Sequence, residues 1–322
     1  MKTIGLVISH KNNEKRRALI PEDLKKIKNL NYLCFEKGYG ESIGFSDSDY
    51  ETLGAGFASR AEVLKSDIIL DVKLGDADYL DELDDGKILC GWAHATQNID
   101  FTTKAIQKKF SVIAWENIFK NDRYIFYKNR EIAGEAAVLQ ALRYTEKCPY
   151  ELKAAVLGNG QTAKGAIRIL NNLGTEVDVY SRELENAFKK NMFNYDVLVN
   201  CVMWDTSRTD RIIYKEDLKK MRPGTLIIDV SCDPHLEIET SHPTTIDNPV
   251  YTIDGVIHYA VDNTPAMYPK TVSKVLSNNF VPYFDELVEG NYSPEIQKAV
   301  NIKNGQIVDE KITKFRKLKG VG

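Results

Sequence analysis

The sequence predicts an α/β protein built of two parallel-sheet domains, and three observations predict it. Short apolar runs alternate with helix-patterned stretches through the first third of the chain, and again through the middle third. The chain has 322 residues, long for one domain and comfortable for two. Two stretches of helical periodicity, 132–144 and 272–287, stand where the chain would leave the first domain and come back to it. The expected domains are therefore 1–131 with 275–322, and 132–274, joined by long helices with a cleft between the domains. Ligands in such an architecture sit at the carboxyl ends of the strands.

The elements follow in order. Apolar runs at 3–8, 32–35, 67–72, 87–90 and 110–115 read as strands. Pro21 opens a helix over 21–30, with Glu22 and Asp23 at its positive end, and a second helix spans 99–109. In the middle third, a strand at 153–157 leads through a glycine turn into a helix over 161–173, stopped by Gly174. Strands at 176–180, 196–202 and 225–230 come next, the last after the turn Pro223-Gly224. Residues 249–259 read as a strand pair around Asp254-Gly255. From Lys270 the pattern is helical to about Glu289, and a short helix lies near the C-terminus.

Composition narrows the function classes. A hydrophobic share of 43% with 28% charged residues is enough for a real core. The net charge of −3, with acids and bases interspersed, lacks the concentrated basic patch that nucleic acid or an anionic membrane rewards. Cys34, Cys90, Cys148, Cys201 and Cys232 are odd in number and form no C-x-x-C pair, which reads as free thiols in a reducing compartment. They supply no zinc-like spacing either. The N-terminal run meets Lys11 and Arg16 too soon for a signal peptide, and no stretch approaches the length of a membrane span. The expectation is a soluble, cytoplasmic protein acting on small molecules without a metal.

Gly158-Asn159-Gly160-Gln161-Thr162-Ala163 follows a strand and opens a helix as G-x-G-x-x-A. Gly158 makes the tight turn, and Gly160 leaves room for a pyrophosphate. Ala163 permits close helix–strand packing, and the helix start, with Gln161 and Thr162, offers N–H groups to phosphate. A Rossmann-like dinucleotide site is the reading. The next strand ends in Ser181-Arg182, where an NAD site usually has a carboxylate for the ribose. Arg182 suits a 2′-phosphate and adenine, with Ser181 as a further donor, so NADP(H) is expected. The alternative pairs Arg182 with Glu183 or Glu185 and gives Glu183 the ribose. Val202, ending the strand 196–202, joins the expected cofactor residues.

Three residues of the first domain each follow a strand: Arg16, Lys73 and His94. Arginine clamps a carboxylate through two N–H groups, lysine steadies charge developing on a carbonyl oxygen, and histidine titrates near neutrality. Singly, each has a plainer reading: a solvated loop arginine, a lysine paired with Asp71, a satisfied core histidine. Together at one sheet edge they read as a site. Asp233, after the strand 225–230, faces the same way from the other domain, and Glu116 reads as a carboxylate supporting Lys73 or His94. His10, His235, His242 and His258 read as structural.

The stretch from Lys11 to Pro21, Glu36-Lys37-Gly38 with Gly44-Phe45-Ser46-Asp47, and the block from Glu239 to Tyr259 resemble alanine dehydrogenases and the related transhydrogenase subunit along nearly the whole chain. The resemblance implies a carboxylate-binding role for Arg16, substrate contact for Lys73, acid–base work for His94 and a cleft role for Asp233. It also implies a place near the nicotinamide for Asn263, and a homo-oligomer. The chain departs from alanine dehydrogenases at Ser181-Arg182, at Arg17 and at Arg130, and it is shorter before the glycine turn. In these it is most similar to the carboxyethylornithine synthase branch, which joins pyruvate to the side-chain amine of a basic amino acid. Arg17 and Arg130 would then meet a second carboxylate. An alanine dehydrogenase using ammonia, a saccharopine-type enzyme and a non-catalytic nicotinamide sensor are the rival readings.

Overall fold

The first parallel sheet begins with six strands: β1 (Ile4–Leu6), β2 (Leu33–Glu36), β3 (Gly56–Ala58), β4 (Ile68–Leu70), β5 (Ile88–Gly91) and β6 (Ser111–Ala114). They lie in the spatial order β6-β5-β4-β1-β2-β3. Five fall on the expected apolar runs. β3 was not expected, because three residues carry too little pattern to stand out from a loop. A small hairpin, β7 (Phe119–Lys120) with β8 (Arg123–Tyr124), follows. The helix expected over 21–30 closes after one turn, Pro21–Leu24. The Asp285 carboxylate, far along the chain, accepts from the N–H groups of Lys28 and Asn29 and so draws the segment out of helical geometry.

The second sheet runs from β9 (Lys153–Leu157) through β10 (Glu176–Tyr180), β11 (Val197–Asn200), β12 (Leu226–Asp229), β13 (Val250–Ile253) and β14 (Val256–Tyr259). Its order is β10-β9-β11-β12-β14-β13, and only β13 is antiparallel. The chain moves from β9 outward to β10, then crosses back to β11 on the other side of β9. That reversal is the topological switch point at which such sheets bind ligands. Both faces are covered, so alternate residues feed two cores. Ala154, Val156, Val199 and Ile228 enter one, and Ala155, Leu157, Leu198 and Ile227 the other.

Two helices of this sheet cross at glycines. A Cβ on Gly165 would stand 1.9 Å from the carbonyl oxygen of Glu131, and one on Gly134 would stand 2.0 Å from that of Thr162. The helix Tyr127–Ala141 thereby lies backbone to backbone on Gln161–Asn172, the helix that opens at the glycine turn. Gly165→Ala is expected to destabilise this part of the chain by about 3 kcal/mol, as overpacking at a backbone contact does. A denaturant midpoint equal to that of the wild type would remove the account.

The first sheet is completed late in the sequence by β15 (Val300–Lys303), antiparallel to β6, and β16 (Gln306–Ile307) at the edge. Neither strand was expected. The helix expected over 272–287 breaks into Pro269–Phe280 and Phe284–Glu289, with Val281–Tyr283 as a 3-10 turn. Pro282 has no N–H for a continuing helix and sets the break. The first crossing helix starts earlier than the expected 132–144.

In the computed structural model, residues 1–205, 208–232 and 234–321 are described. They form two compact units, 1–126 with 269–321, and 127–268. Among them no helix is long and apolar enough to cross a membrane.

Candidate functional site

In the first unit, Arg16, Lys73 and His94 stand beyond the carboxyl ends of β1, β4 and β5, three adjacent strands. Two glycines draw the β4 and β5 ends together. Gly91, at φ +154°, leaves only 1.8 Å between a hypothetical Cβ and the Asp71 carbonyl oxygen, and Gly75 leaves 2.4 Å to that of Ala93. The Gly75 N–H donates to the Trp92 carbonyl at 2.9 Å, and Asn98 Nδ2 donates to the Gly75 carbonyl at 2.8 Å. The loops bearing Lys73 and His94 are thus knitted to one another.

Each of the three has a carboxylate behind it. Arg16 is buried, and Glu14 accepts from its Nε at 2.8 Å and its Nη2 at 2.5 Å. The guanidinium carbon lies 4.9 Å from the centre of the Trp92 ring. Lys73 is buried too, and its backbone N–H donates to Asp71 Oδ1 at 2.9 Å. Its ammonium stands 3.7 Å from Asp76. Burial pushes the Asp71 pKa up, Glu14 adding to the rise, while the Lys73 amide and the Tyr79 hydroxyl, at 2.9 Å, oppose it.

His94 is exposed and holds a left-handed backbone, φ +47°. Glu116 stabilises that turn by accepting from the N–H of Ala93 at 3.2 Å. Burial raises the Glu116 pKa against the pull of backbone amides. The carboxylate therefore supports His94 through the backbone.

Arg17 is buried, and backbone carbonyls hold its side chain. Its Nε donates to the Tyr39 carbonyl and its Nη1 to the Arg16 carbonyl at 2.8 Å, and its guanidinium carbon lies 5.4 Å from the centre of the Tyr39 ring. Its own N–H is held by Ser273 Oγ at 2.8 Å. With these partners Arg17 braces the loop.

In the second unit the glycine turn has the geometry a pyrophosphate needs. Gly158 sits at φ +102°, and a Cβ there would lie 2.9 Å from the Cys201 carbonyl, after β11. Around Gly160 no atom lies within 4 Å of where a Cβ would be, so its face is open. Ala163 is buried, and Gln161 and Thr162 occupy the first turn of the helix. These residues fit a dinucleotide.

At the end of β10 the Ser181 hydroxyl donates to Glu183 at 2.5 Å, while Arg182 is exposed and its Nη2 lies 3.5 Å from the Met203 carbonyl. The strand end thus offers both a guanidinium and a carboxylate. Val202 lies between its neighbours: its N–H donates to Asn200 Oδ1 at 3.2 Å and its carbonyl accepts from Ser231 Oγ at 2.5 Å. Asn263, at φ +71°, opens the 3-10 turn Thr264–Met267, which the Thr264 hydroxyl ties to the Ala133 carbonyl at 3.0 Å. Arg130 is half-buried in the first turns of the helix Tyr127–Ala141. Asp233 lies outside the described residues.

Sequence reasoning missed Glu14, Asn200 and Asp229. Asn200 Nδ2 donates to both Asp229 and Glu237 at 2.9 Å, all three being buried. Asp229 also accepts the Cys232 N–H at 3.2 Å and the Ser241 hydroxyl, so it shapes the turn after β12. As a buried carboxylate it has a raised pKa. Its position as the last residue of a strand was a usable signal. Glu14 offered only its closeness to Arg16.

The chain matches the alanine dehydrogenase/PNT N-terminal domain over residues 6–127 and the alanine dehydrogenase/PNT C-terminal domain over residues 181–310. It is 32% identical to an N(5)-(carboxyethyl)ornithine synthase of Lactococcus lactis subsp. lactis (strain IL1403), over 94% of this chain and 99% of that one. An alanine dehydrogenase of Methanococcus maripaludis is 28% identical over 98% of this chain and 96% of its own. That alignment runs to 362 positions, more than this chain's 322 residues, so the dehydrogenase carries insertions. Among solved structures, an L-alanine dehydrogenase superposes with a TM-score of 0.82 at 22% identity, covering 97% of this chain and 98% of that one. The transhydrogenase from Sinorhizobium meliloti gives 0.79 at 17%, covering 95% and 100%.

Proposed function

This chain belongs to the alanine dehydrogenase/PNT family, whose members are nicotinamide-dependent oxidoreductases, and we propose that it catalyses the NADPH-dependent reductive condensation of pyruvate with the side-chain amine of ornithine or lysine. The observation that carries this reading is the end-to-end likeness to N(5)-(carboxyethyl)ornithine synthases, with fewer insertions than the alanine dehydrogenase alignment. Arg130 supports it, as a cation for the carboxylate that an amino acid has and ammonia lacks.

Arg16 binds the pyruvate carboxylate, and the ammonium of Lys73 counters charge on the keto oxygen. The neutral amine of the co-substrate attacks the keto carbon. His94 takes a proton from the nitrogen and returns one to the departing hydroxyl, so water leaves and an imine remains. Gly158, Gly160, Gln161, Thr162, Ala163, Val202 and Asn263 would hold the dinucleotide, which when bound would supply a hydride. Asp233 orients the attacking amine.

The test follows oxidation of NADPH and of NADH with pyruvate or 2-oxoglutarate, each against ammonia, ornithine and lysine. NADPH, pyruvate and a basic amino acid should turn over fastest. Ammonia-dependent NADH oxidation with no response to ornithine or lysine would make the chain an alanine dehydrogenase instead. Arg182→Ala is expected to lower kcat/KM for NADPH about 10- to 100-fold and to leave that for NADH within about threefold. An equal loss with both nucleotides would move the specificity to Glu183.

A further inference from the structure

Glu14 is a buried carboxylate beside the expected substrate-binding residues. Its side chain has no exposed surface, and it takes three hydrogen bonds from one residue: the Arg16 backbone N–H at 2.9 Å, Nε at 2.8 Å and Nη2 at 2.5 Å. Held through both its backbone and its side chain, Arg16 has little rotational freedom. The Trp92 face, 4.9 Å away, restricts the guanidinium from another direction. A buried ion pair adds little net stability over an apolar substitute of the same shape, so its main consequence is orientation.

We propose that Glu14 is a positioning residue for keto-acid recognition. By holding Nε and Nη2 of Arg16, it sets the plane in which the guanidinium meets the carboxylate of the keto acid. The inference deepens the proposed function and rests on Arg16 being the carboxylate site. It also bears on substrate charge. Glu14 balances Arg16 and Asp76 stands 3.7 Å from the Lys73 ammonium, so the site accepts one added negative charge more readily than two. That favours a monocarboxylic keto acid such as pyruvate over 2-oxoglutarate.

The experiment measures dissociation constants by calorimetry for pyruvate, its unreactive analogue oxamate, 2-oxoglutarate and NADPH, on the wild type, Glu14→Gln and Glu14→Asp. Glutamine keeps the shape but loses the charge and presents an amide to the guanidinium. E14Q is expected to weaken pyruvate and oxamate about 10- to 100-fold, with NADPH unchanged within about twofold. E14D, which keeps the charge, should recover part of the affinity. Oxamate affinity unchanged in E14Q would overturn the proposal, and so would equal weakening of keto acid and nucleotide. Melting midpoints separate misfolding from misorientation. If E14Q does not fold, E14D alone decides, since a shortened carboxylate must still weaken the keto acid and spare the nucleotide. If the wild type binds 2-oxoglutarate and not pyruvate, the pyruvate reading and the charge argument fall, and the orienting role is decided with 2-oxoglutarate in its place. A wild type that binds no keto acid overturns both.

Discussion

Replacing His94 with asparagine is expected to lower kcat about 10²- to 10⁴-fold while leaving NADPH binding within about twofold, the usual loss for a positioned acid–base group. The expectation rests on how the structure treats this side chain. A non-glycine residue at φ +47° is uncommon, and here the half-buried Glu116 carboxylate braces the turn by accepting from the N–H of Ala93, the residue before it. Gly91 and Gly75 bring that turn against the loop bearing Lys73, where any Cβ would collide with backbone. The exposed imidazole is the group this arrangement presents. Asparagine tolerates the left-handed backbone, so the turn should survive the change. The measurement is NADPH oxidation at saturating substrates, with nucleotide binding followed by fluorescence. An H94N variant within about threefold of wild-type turnover would remove His94 from the chemistry. Partial rescue by added imidazole would strengthen its place there.

Lowering the pH from 7.5 to 4.5 is expected to cost the folded second unit about 2–3 kcal/mol through His258 alone. His258 is buried in β14, with Nδ1 3.2 Å from the Val256 carbonyl and Nε2 2.8 Å from the Thr240 hydroxyl. A carbonyl only accepts, so Nδ1 carries the proton and Nε2 accepts from Thr240. Tyr251 stacks on the ring at 4.9 Å between centroids, and His242 stacks on Tyr251 at 3.8 Å. Burial pushes the pKa down from the ordinary 6.5 to about 4; the Val256 carbonyl opposes the fall and the nearby His242 adds to it. The unfolded imidazole takes its proton near 6.5 and the folded one only near 4. Between those values the unfolded chain binds more protons, so stability falls as pH falls and levels off below about 4. His258→Asn has no such group to titrate. The stability gap between wild type and variant should therefore narrow by about 2–3 kcal/mol from pH 7.5 to 4.5 in urea unfolding. Parallel curves would show that burial does not hold His258 neutral.

The sequence determined by itself whatever rests on local chemistry. The strand Lys153–Leu157 has the expected bounds because a continuous apolar run between turn residues leaves one way to bury itself, and Glu176–Tyr180 keeps its bounds as a partly exposed strand at the sheet edge, where apolar and polar residues alternate. The same holds for Asp254-Gly255, which turns a hairpin with both residues at positive φ, 49° and 79°. The glycine turn, and the sheet edge carrying Arg16, Lys73 and His94, were legible because strand-to-loop boundaries are written in hydrophobic pattern. Only the tertiary structure decided what depends on partners distant in sequence. β15 exists because β6 offers a row of unpaired backbone groups, a fact absent from residues 300–303 themselves. Arg17 looked as suited to a carboxylate as Arg16. The fold placed the Tyr39 carbonyl against one guanidinium and the Trp92 face and Glu14 against the other. A side chain's charge is local, but its work depends on which groups arrive within hydrogen-bond reach once the chain has folded.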